Sequence, residues 1–530
     1  MPKKRQAQTD ARKSRKMNKR QLLFAHASSL NPKLRKRQKK LRRRAIGLTI
    51  VAIQIILTLV FFGMLAYINI LPDKYLLIAG ILLLLISAYN LVSQYSKSYK
   101  SGRVMAILLS IVTLVGSIYL AKTYNMLDSI SGSSTKTEEI SVIVLNSDPA
   151  QTITDAKNYT FGIHSSLDKT NTDKAITKIN AKVGTTIKTS EYDDWGSLIN
   201  GLYNKKVNAI ILNESYRSVF EETYPDFDTD TRVIETIELK SKVSNVTSDK
   251  KVNNEPFTIY VAGNDEYGNT ISVEGRNDVN IIATFNPKTR QILLVTTPRD
   301  YYITIDSLTG TTGLDKLTHA GKFGIDGSIK ALDDLYGTTI DYYVKVNFTG
   351  TVDIINALGG ITVNSEVDFS TSPDTAPVKY HFVVGENECD GEKALAFCRE
   401  RQTFKNGDFQ RGANQMIAIK AMIAKATSSA ILTRYTQVLD SVSGMISTNM
   451  SASSITSLIK GTIDSSTPWT VQTYSVTGTP ATKKCEIFGG NRSVVLPDYS
   501  TVNIAKDLMN KVENGEVFDV DSYVSSLTSK

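Results

Sequence analysis

The sequence predicts an α/β protein anchored by N-terminal transmembrane helices. Three observations carry this. Three long, uncharged apolar runs lie before residue 122. Strand-like and helix-like segments alternate from residue 138 onward. Two polar breaks divide the 530-residue chain into units of domain size.

Charge separates the first unit from the rest. The formal charge is +10, but residues 1–44 carry 18 Lys/Arg against the single acid Asp10, or +17, and the other 486 residues carry −7. The basic tail, 1–44, therefore belongs to a different environment from the mildly acidic body. It holds one aromatic residue, Phe24, and no Tyr or Trp for base stacking. The tail accordingly favours an anionic lipid surface over nucleic acid as its partner.

The apolar runs are Ala45–Leu71, Tyr75–Val92 and Val104–Ala121, within an expected membrane unit of 45–121. Spanning a bilayer as helix takes about 20 residues. The first run is too long for a cleaved signal peptide, and two more follow it. Lys97, Lys100 and Arg103 in the second loop, together with the tail, predict a cytoplasmic N-terminus by the positive-inside bias. Three crossings then put the remainder outside, where ATP is absent. Residues 122–137 are polar and rich in Ser and Thr, and are expected to be a linker.

In an expected accessory domain, 138–245, strands are predicted at Ile140–Leu145, Tyr159–Ile163 and Ala209–Asn213. Helices are predicted at Thr172–Val183 and near Trp195–Tyr203. The segment holds no cluster of catalytic residue types, which favours binding or spacing over catalysis. A second polar break, Ser241–Pro256, precedes an expected catalytic domain, 252–525, formed as an α/β sandwich on one central sheet. It opens with the strand Phe257–Asp265 and the hairpin Val279–Asp300. Helix, strand and helix follow in "DGSIKALDDLYG", "DYYVKVN" and "TGTVDIINALGG", the last closed by glycines. "DGEKALAFCR" and Gly412–Ala426 are further helices, the second striped with apolar residues.

The chemistry concentrates where these elements end. Asp265 closes one strand, Arg276 and Asp278 precede the next, and Arg299 ends its partner. Arg399 and Arg401 alternate in an extended exit from a helix, so they point to one side. Arg411 and Gln415 are four apart and share a helix face, and Asp408 stands before that helix as a possible N-cap. Converging guanidinium groups fit a diphosphate, which they grip with paired hydrogen bonds. Neighbouring aspartates suit Mg²⁺, which takes one or two protein carboxylates. These are parts for phosphoryl transfer. Cys389, Cys398 and Cys485 allow one disulfide, Cys389 with Cys485 or with Cys398, and their spacing does not resemble a zinc site. Lys316 and His319 in "DKLTHA" fit a loop anchor and a satisfied core histidine.

The motifs "PRD", "KLTHA", "DYYVKVNFTGTVDIINALGGITV", "LAFCRERQ" and "DFQRGANQ", in this order, resemble the LytR-CpsA-Psr family over about 257–427, and more weakly to about 525. Three spans and an extra domain before the core are similar to the CpsA type, associated with capsule or related polysaccharide. The resemblance implies a metal-assisted phosphotransferase of Gram-positive walls. Such an enzyme moves a glycopolymer from a polyprenyl-pyrophosphate carrier onto peptidoglycan and holds the lipid in an apolar tunnel between sheet and helices. It implies Asp265 and Asp278 as ligands of Mg²⁺ (or Mn²⁺), and Arg299, Arg399, Arg401 and Arg411 on the pyrophosphate, supported by Arg276 and Gln415. Asp408 would orient or deprotonate the acceptor hydroxyl. Glu266 stands where many relatives have Arg, and Cys398 where they have an aliphatic residue or alanine. The alternatives are a membrane sensor of polysaccharide synthesis and a carrier of prenyl-linked glycans without transfer. A pyrophosphatase side activity would follow if water replaced the acceptor.

Overall fold

The computed structural model describes residues 18–131, 135–217, 224–244, 246–264, 275–308, 310–405, 407–426, 434, 438, 441, 445–465 and 467–528. The chain forms two units, 1–125 with 459–464, and 126–458 with 465–530.

In the first unit a short helix α1 (Lys19–Phe24) precedes three long ones, α2 (Pro32–Ile68), α3 (Asp73–Ser93) and α4 (Tyr99–Ser131). All three long helices are apolar enough to cross a membrane, and they anchor the chain there. The helices outrun the apolar stretches. α2 starts thirteen residues earlier, with Pro32 in its first turn and the Asn31 side chain accepting from Leu34 N. α4 runs through most of the segment expected to be a linker, continuing past the apolar run that ends at Ala121 to Ser131. Inside the bundle Gln54 donates to Ser87 Oγ at 2.9 Å and accepts from Asn90, both amides being fully buried. Such interhelical amide bonds help to hold helices together where lipid offers no competing partner.

The second unit contains two α/β layers. In the first, β1 (Thr135–Leu145), β2 (Thr160–His164), β3 (Lys188–Tyr192), β4 (Ala209–Asn213) and β5 (Thr231–Lys242) form a sheet of order β3-β2-β4-β1-β5. β2 is parallel to β3 and β4, and β1 is antiparallel to β4 and β5. The crossovers are α5 (Lys169–Val183), stopped by Gly184 at φ 73°, and α6 (Trp195–Tyr203), capped by Asp194. The polar break after β5 is pinned: Asp341 takes Lys250 Nζ at 2.8 Å and Ser248 Oγ at 3.1 Å.

The second sheet is built from β6 (Phe257–Asn264), β7 (Asn277–Asn286) and β8 (Gln291–Thr296). After it come β9 (Tyr302–Asp306), β10 (Thr312–Lys316), the short helix α7 (Leu317–Ala320) and α8 (Gly324–Tyr336). β11 (Tyr342–Val346), α9 (Phe348–Leu358), β12 (Ile361–Ser365), β13 (Gly385–Cys389) and α10 (Gly391–Arg399) follow. The last named elements are α11 (Asp408–Ala426), β14 (Ile446–Thr448), β15 (Thr470–Ser475) and α12 (Tyr499–Glu513). The sheet order is β14-β11-β6-β7-β8-β15. Its central strands are buried on both faces, which is why they read as continuous apolar runs. Phe257, Ile259, Ile281 and Leu294 pack with Met416 of α11 on one face. Tyr260, Ile282 and Val295 pack with Ile329 of α8 and Leu508 of α12 on the other. That second core also takes in Trp195, Leu198 and Tyr216, so the two layers share one apolar interior.

Candidate diphosphate site

The site begins with an irregularity at the β6–β7 edge. Gly263 pairs with Val279 and Asn264 with Asn277, which leaves Asp278 as an extra residue in β7. A bulge of this kind re-aims a side chain out of the ladder. Asp278 is thereby brought to Arg299, whose Nη1 donates to its Oδ2.

A second device places the next two arginines. α10 ends at Arg399, and Glu400 turns extended. Glu400 is fully buried and accepts Ser372 N at 2.6 Å, Gln402 N at 2.7 Å and Thr403 N at 3.1 Å. With the middle residue of Arg–Glu–Arg locked inward, its neighbours face the other way. A solvated, salt-bridged run would leave Glu400 in water. Although burial opposes its charge, the three N–H donors hold its pKa below the usual glutamate value. Arg399 lies 4.6 Å over the Phe348 ring at the start of α9. α10 reaches this position because residue 391 is glycine: a Cβ there would come within 2.3 Å of Val352 O.

Arg276, Asp278, Arg299, Arg399, Arg401, Arg411 and Gln415, from four separate stretches of the sequence, all line one cavity of about 540 Å³. Five arginines against two aspartates, Asp278 and Asp374, leave its polar end with excess positive charge. Most of the remaining wall is apolar, from Val261, Val279, Val344, Ile355, Ile419 and Met422, with Asn347, Thr351 and Gln402 among its polar members. It lies between the sheet and helices α9–α11. Asp265 lies outside the described residues.

Asp408 stands apart from the main cavity. It lines a narrow adjoining cleft shared with Asp278, Arg299, Arg411 and Gln415. It is the first residue of α11 rather than a residue before the helix: Arg411 N donates to Gly407 O at 3.2 Å, so the helix opens after Gly407, and the Asp408 carboxylate pairs with Arg411 Nη2, one turn on. Gln415 spends its amide hydrogens on Cys398 O at 3.3 Å, tying α11 to the end of α10. Burial lowers the pKa of Arg411, offset in part by Asp408. Burial also opposes the Arg299 charge, but Asp278, Asp300 and Asp408 outweigh it and raise its pKa. The pair thus keeps its charge within a largely dry wall.

Several polar atoms at this edge are buried without a hydrogen-bond partner among the described residues: Asp278 Oδ1, Arg299 Nε and both amide atoms of Asn264. Orphaned groups of this kind need water, an ion or a ligand to satisfy them. The free oxygen of Asp278 fits a divalent cation, which takes few protein carboxylates and completes its shell with phosphate and water. Asn264, Glu400 and Phe348 were not singled out in the sequence. Only the motif position of Glu400, between two arginines, hinted at a role.

A second cluster, Asp315, His319 and Cys485, is fully buried and has metal-ligand chemistry. Its carboxylate is already filled: Oδ1 takes Lys316 N at 2.7 Å and His319 Nδ1 at 2.6 Å, Oδ2 takes Phe488 N at 3.1 Å, and Cys485 Sγ lies within 4.8 Å. It is a hydrogen-bonded anchor, and His319 is the satisfied core histidine the sequence allowed. All three cysteines are free thiols. Burial pushes Cys389 up to about 11 and Cys398 up to about 12.

Comparison with known proteins follows this geometry. Two polyisoprenyl-teichoic acid–peptidoglycan teichoic acid transferases named TagU are similar to the chain. The Bacillus cereus protein is 35% identical over 213 residues, 40% of this chain and 66% of the relative. The Enterococcus faecalis protein is 34% identical over 223 residues, 42% and 69% of the two chains. The matches span about two thirds of those relatives. The crystal structure of TagV from B. subtilis aligns with 51% of this chain and all of its own, at 26% identity and a TM-score of 0.41. The LytR_cpsA_psr family model matches residues 226–508, more than half of the sequence, and the chain belongs to the LytR-CpsA-Psr family.

Proposed function

We propose that the chain is a membrane-anchored phosphotransferase that moves a glycopolymer from a polyprenyl-pyrophosphate carrier onto peptidoglycan. The observation that carries this is a single cavity with five arginines at one end and a mostly apolar wall along the rest. A diphosphate joined to a hydrocarbon chain needs both. The names of the TagU relatives support the same donor and acceptor classes. The polymer itself, capsule-type polysaccharide or a teichoic-acid-like chain, belongs to the proposal, as does an extracytoplasmic site with the N-terminus in the cytoplasm.

In this reading Arg299, Arg399, Arg401 and Arg411 hold the diphosphate, with Arg276 beside them. The apolar wall keeps water and the lipid chain apart. An acceptor hydroxyl enters the cleft at Asp408, which takes its proton. The hydroxyl oxygen bonds to the sugar-proximal phosphorus, the bridging P–O bond breaks, and polyprenyl phosphate leaves. Arginines that meet the charge developing in transfer supply the stabilisation. Asp278 and, by family resemblance, Asp265 would hold Mg²⁺ or Mn²⁺, which would neutralise phosphate charge. Water in place of the acceptor would give the pyrophosphatase side reaction.

The test is transfer by the purified full chain from lipid-linked polymer to peptidoglycan. Arg399→Ala and Arg401→Ala should each lower attachment by about 10²–10³ and leave thermal unfolding unchanged. Wild-type rates in both variants would refute the site.

A further inference from the structure

Arg299 has carboxylates on two sides. Asp278 lies at Nη1, and Asp300 Oδ2 lies 3.8 Å from Nε. Behind Asp300 is Lys316, with Nζ 3.2 Å from Asp300 Oδ1. Neither Asp300 nor Lys316 lines the cavity. The segment bearing Lys316 is nevertheless stitched to the arginine: Thr318 N donates to Arg299 O at 2.8 Å and Leu317 N to Tyr301 O at 2.9 Å. The buried Asp315 anchor described above fixes the Lys316 backbone. Its Phe488 partner packs against His319 at 5.2 Å and against Tyr216, from the five-stranded layer, at 6.0 Å.

An unneutralised Asp300 would compete with a phosphate for Arg299. At a site only partly open to water this competition is strong, because charge–charge energies grow as the local dielectric falls. Lys316 sits on the opposite oxygen of Asp300 and draws off that charge. We propose that Lys316 and Asp300 are positioning residues: they restrain the Arg299 guanidinium toward Asp278 and the cavity. Lys316 stops Asp300 from capturing it. This rests on the diphosphate reading above and adds two residues that act through Arg299 without touching substrate.

The experiment measures binding of geranylgeranyl diphosphate with Mg²⁺ to the full chain in nanodiscs by calorimetry. Lys316→Met should weaken binding about tenfold, within the range of coupled charge networks. Lys316→Arg should bind within about threefold of wild type, because the positive charge is kept. Lys316→Met with Asp300→Asn should recover most of the loss, because the competitor is gone. In an Arg299→Ala background, Lys316→Met should cost nothing more. A merely structural lysine would show neither the recovery nor the loss of coupling. The proposal is overturned if Lys316→Met binds like wild type, if the double variant binds no better than Lys316→Met, or if the loss persists without Arg299. Should Lys316→Met fail to fold, Asp300→Asn alone decides: it should weaken binding a few-fold in wild type and not at all in Arg299→Ala, and equal losses in both would overturn the idea. Absence of binding by the wild-type chain would sink the diphosphate reading itself, and this inference with it.

Discussion

The two layers of the second unit start from the same materials and end differently. Both are α/β, and both collect polar residues where strands meet loops. In the five-stranded layer one set of those groups satisfies itself, although His164 Nε2 at the end of β2 has no hydrogen-bond partner among the described residues. Asn213 donates to Asp168 Oδ2 at 2.7 Å, Asn171 donates to Asp168 Oδ1 at 2.8 Å, and both amides reach Glu138. In the six-stranded layer the strand ends open onto a cavity where arginines outnumber aspartates. Asp278 Oδ1 and Arg299 Nε there find no hydrogen-bond partner among the described residues. Polar residues at strand ends do not by themselves make a site. A site needs an unbalanced charge and room beside it.

The sharpest way to break this contrast is at the open end. Arg401→Ala should lower transfer by about 10²–10³, the usual effect of removing one transition-state charge partner. The single-turnover rate would report it, with thermal unfolding as control.

His164 tests the closed layer. Its Nδ1 accepts Leu167 N at 3.1 Å, and burial pulls its pKa down to about 4. A histidine whose folded pKa lies below its unfolded value contributes stability above pH 6.5 that is lost as pH falls toward 4. The loss should be on the order of 2–3 kcal/mol. A histidine NMR titration with a midpoint near 6.5 would contradict it.

Glu400 should respond in a lower window. Its depressed pKa means its contribution is present above the unfolded value, near 4.5, and disappears as pH falls further. Glu400→Gln should cost about 1.5–3 kcal/mol at pH 7, the range for hydrogen bonds to a charged acceptor. It should also flatten the acid dependence below pH 4.5, and misplaced Arg399 and Arg401 should raise the KM for donor. Melting curves of both proteins from pH 7 to 3.5 would check this.

The smallest effect belongs to Asn171→Ala, about 1 kcal/mol of stability from lost hydrogen bonds, with diphosphate binding unchanged. Reduced binding at full stability would mean that the closed layer takes part in the site.

Much of this arrangement was legible in the chain. The apolar runs, the α/β alternation and the strand β4 follow from local periodicity, and the arginine motifs pointed to residues that line one cavity. Other features were hidden because they depend on partners distant in sequence. The β-bulge that turns Asp278 outward needs β6 opposite it. Whether Glu400 faces water or protein depends on the Ser372 loop. Asp408 pairs with Arg411 rather than capping the helix, because the first helical bond closes on Gly407. Cys485 could not be assigned a role until Asp315 lay beside it.

By itself the sequence determined which segments are apolar enough for membrane or core, which form strands and helices, and which charges are available. These are local properties, settled by side-chain hydropathy and backbone preference within a few residues. Only the tertiary structure decided which of the charges meet. Five arginines drawn from separate elements share a cavity with Asp278, while Glu138 and Asp168 are closed off by two asparagine amides. The reason is physical: the stability of a buried charge depends on what fold packing places within hydrogen-bond reach, and that is set by contacts across the sheet rather than along the chain.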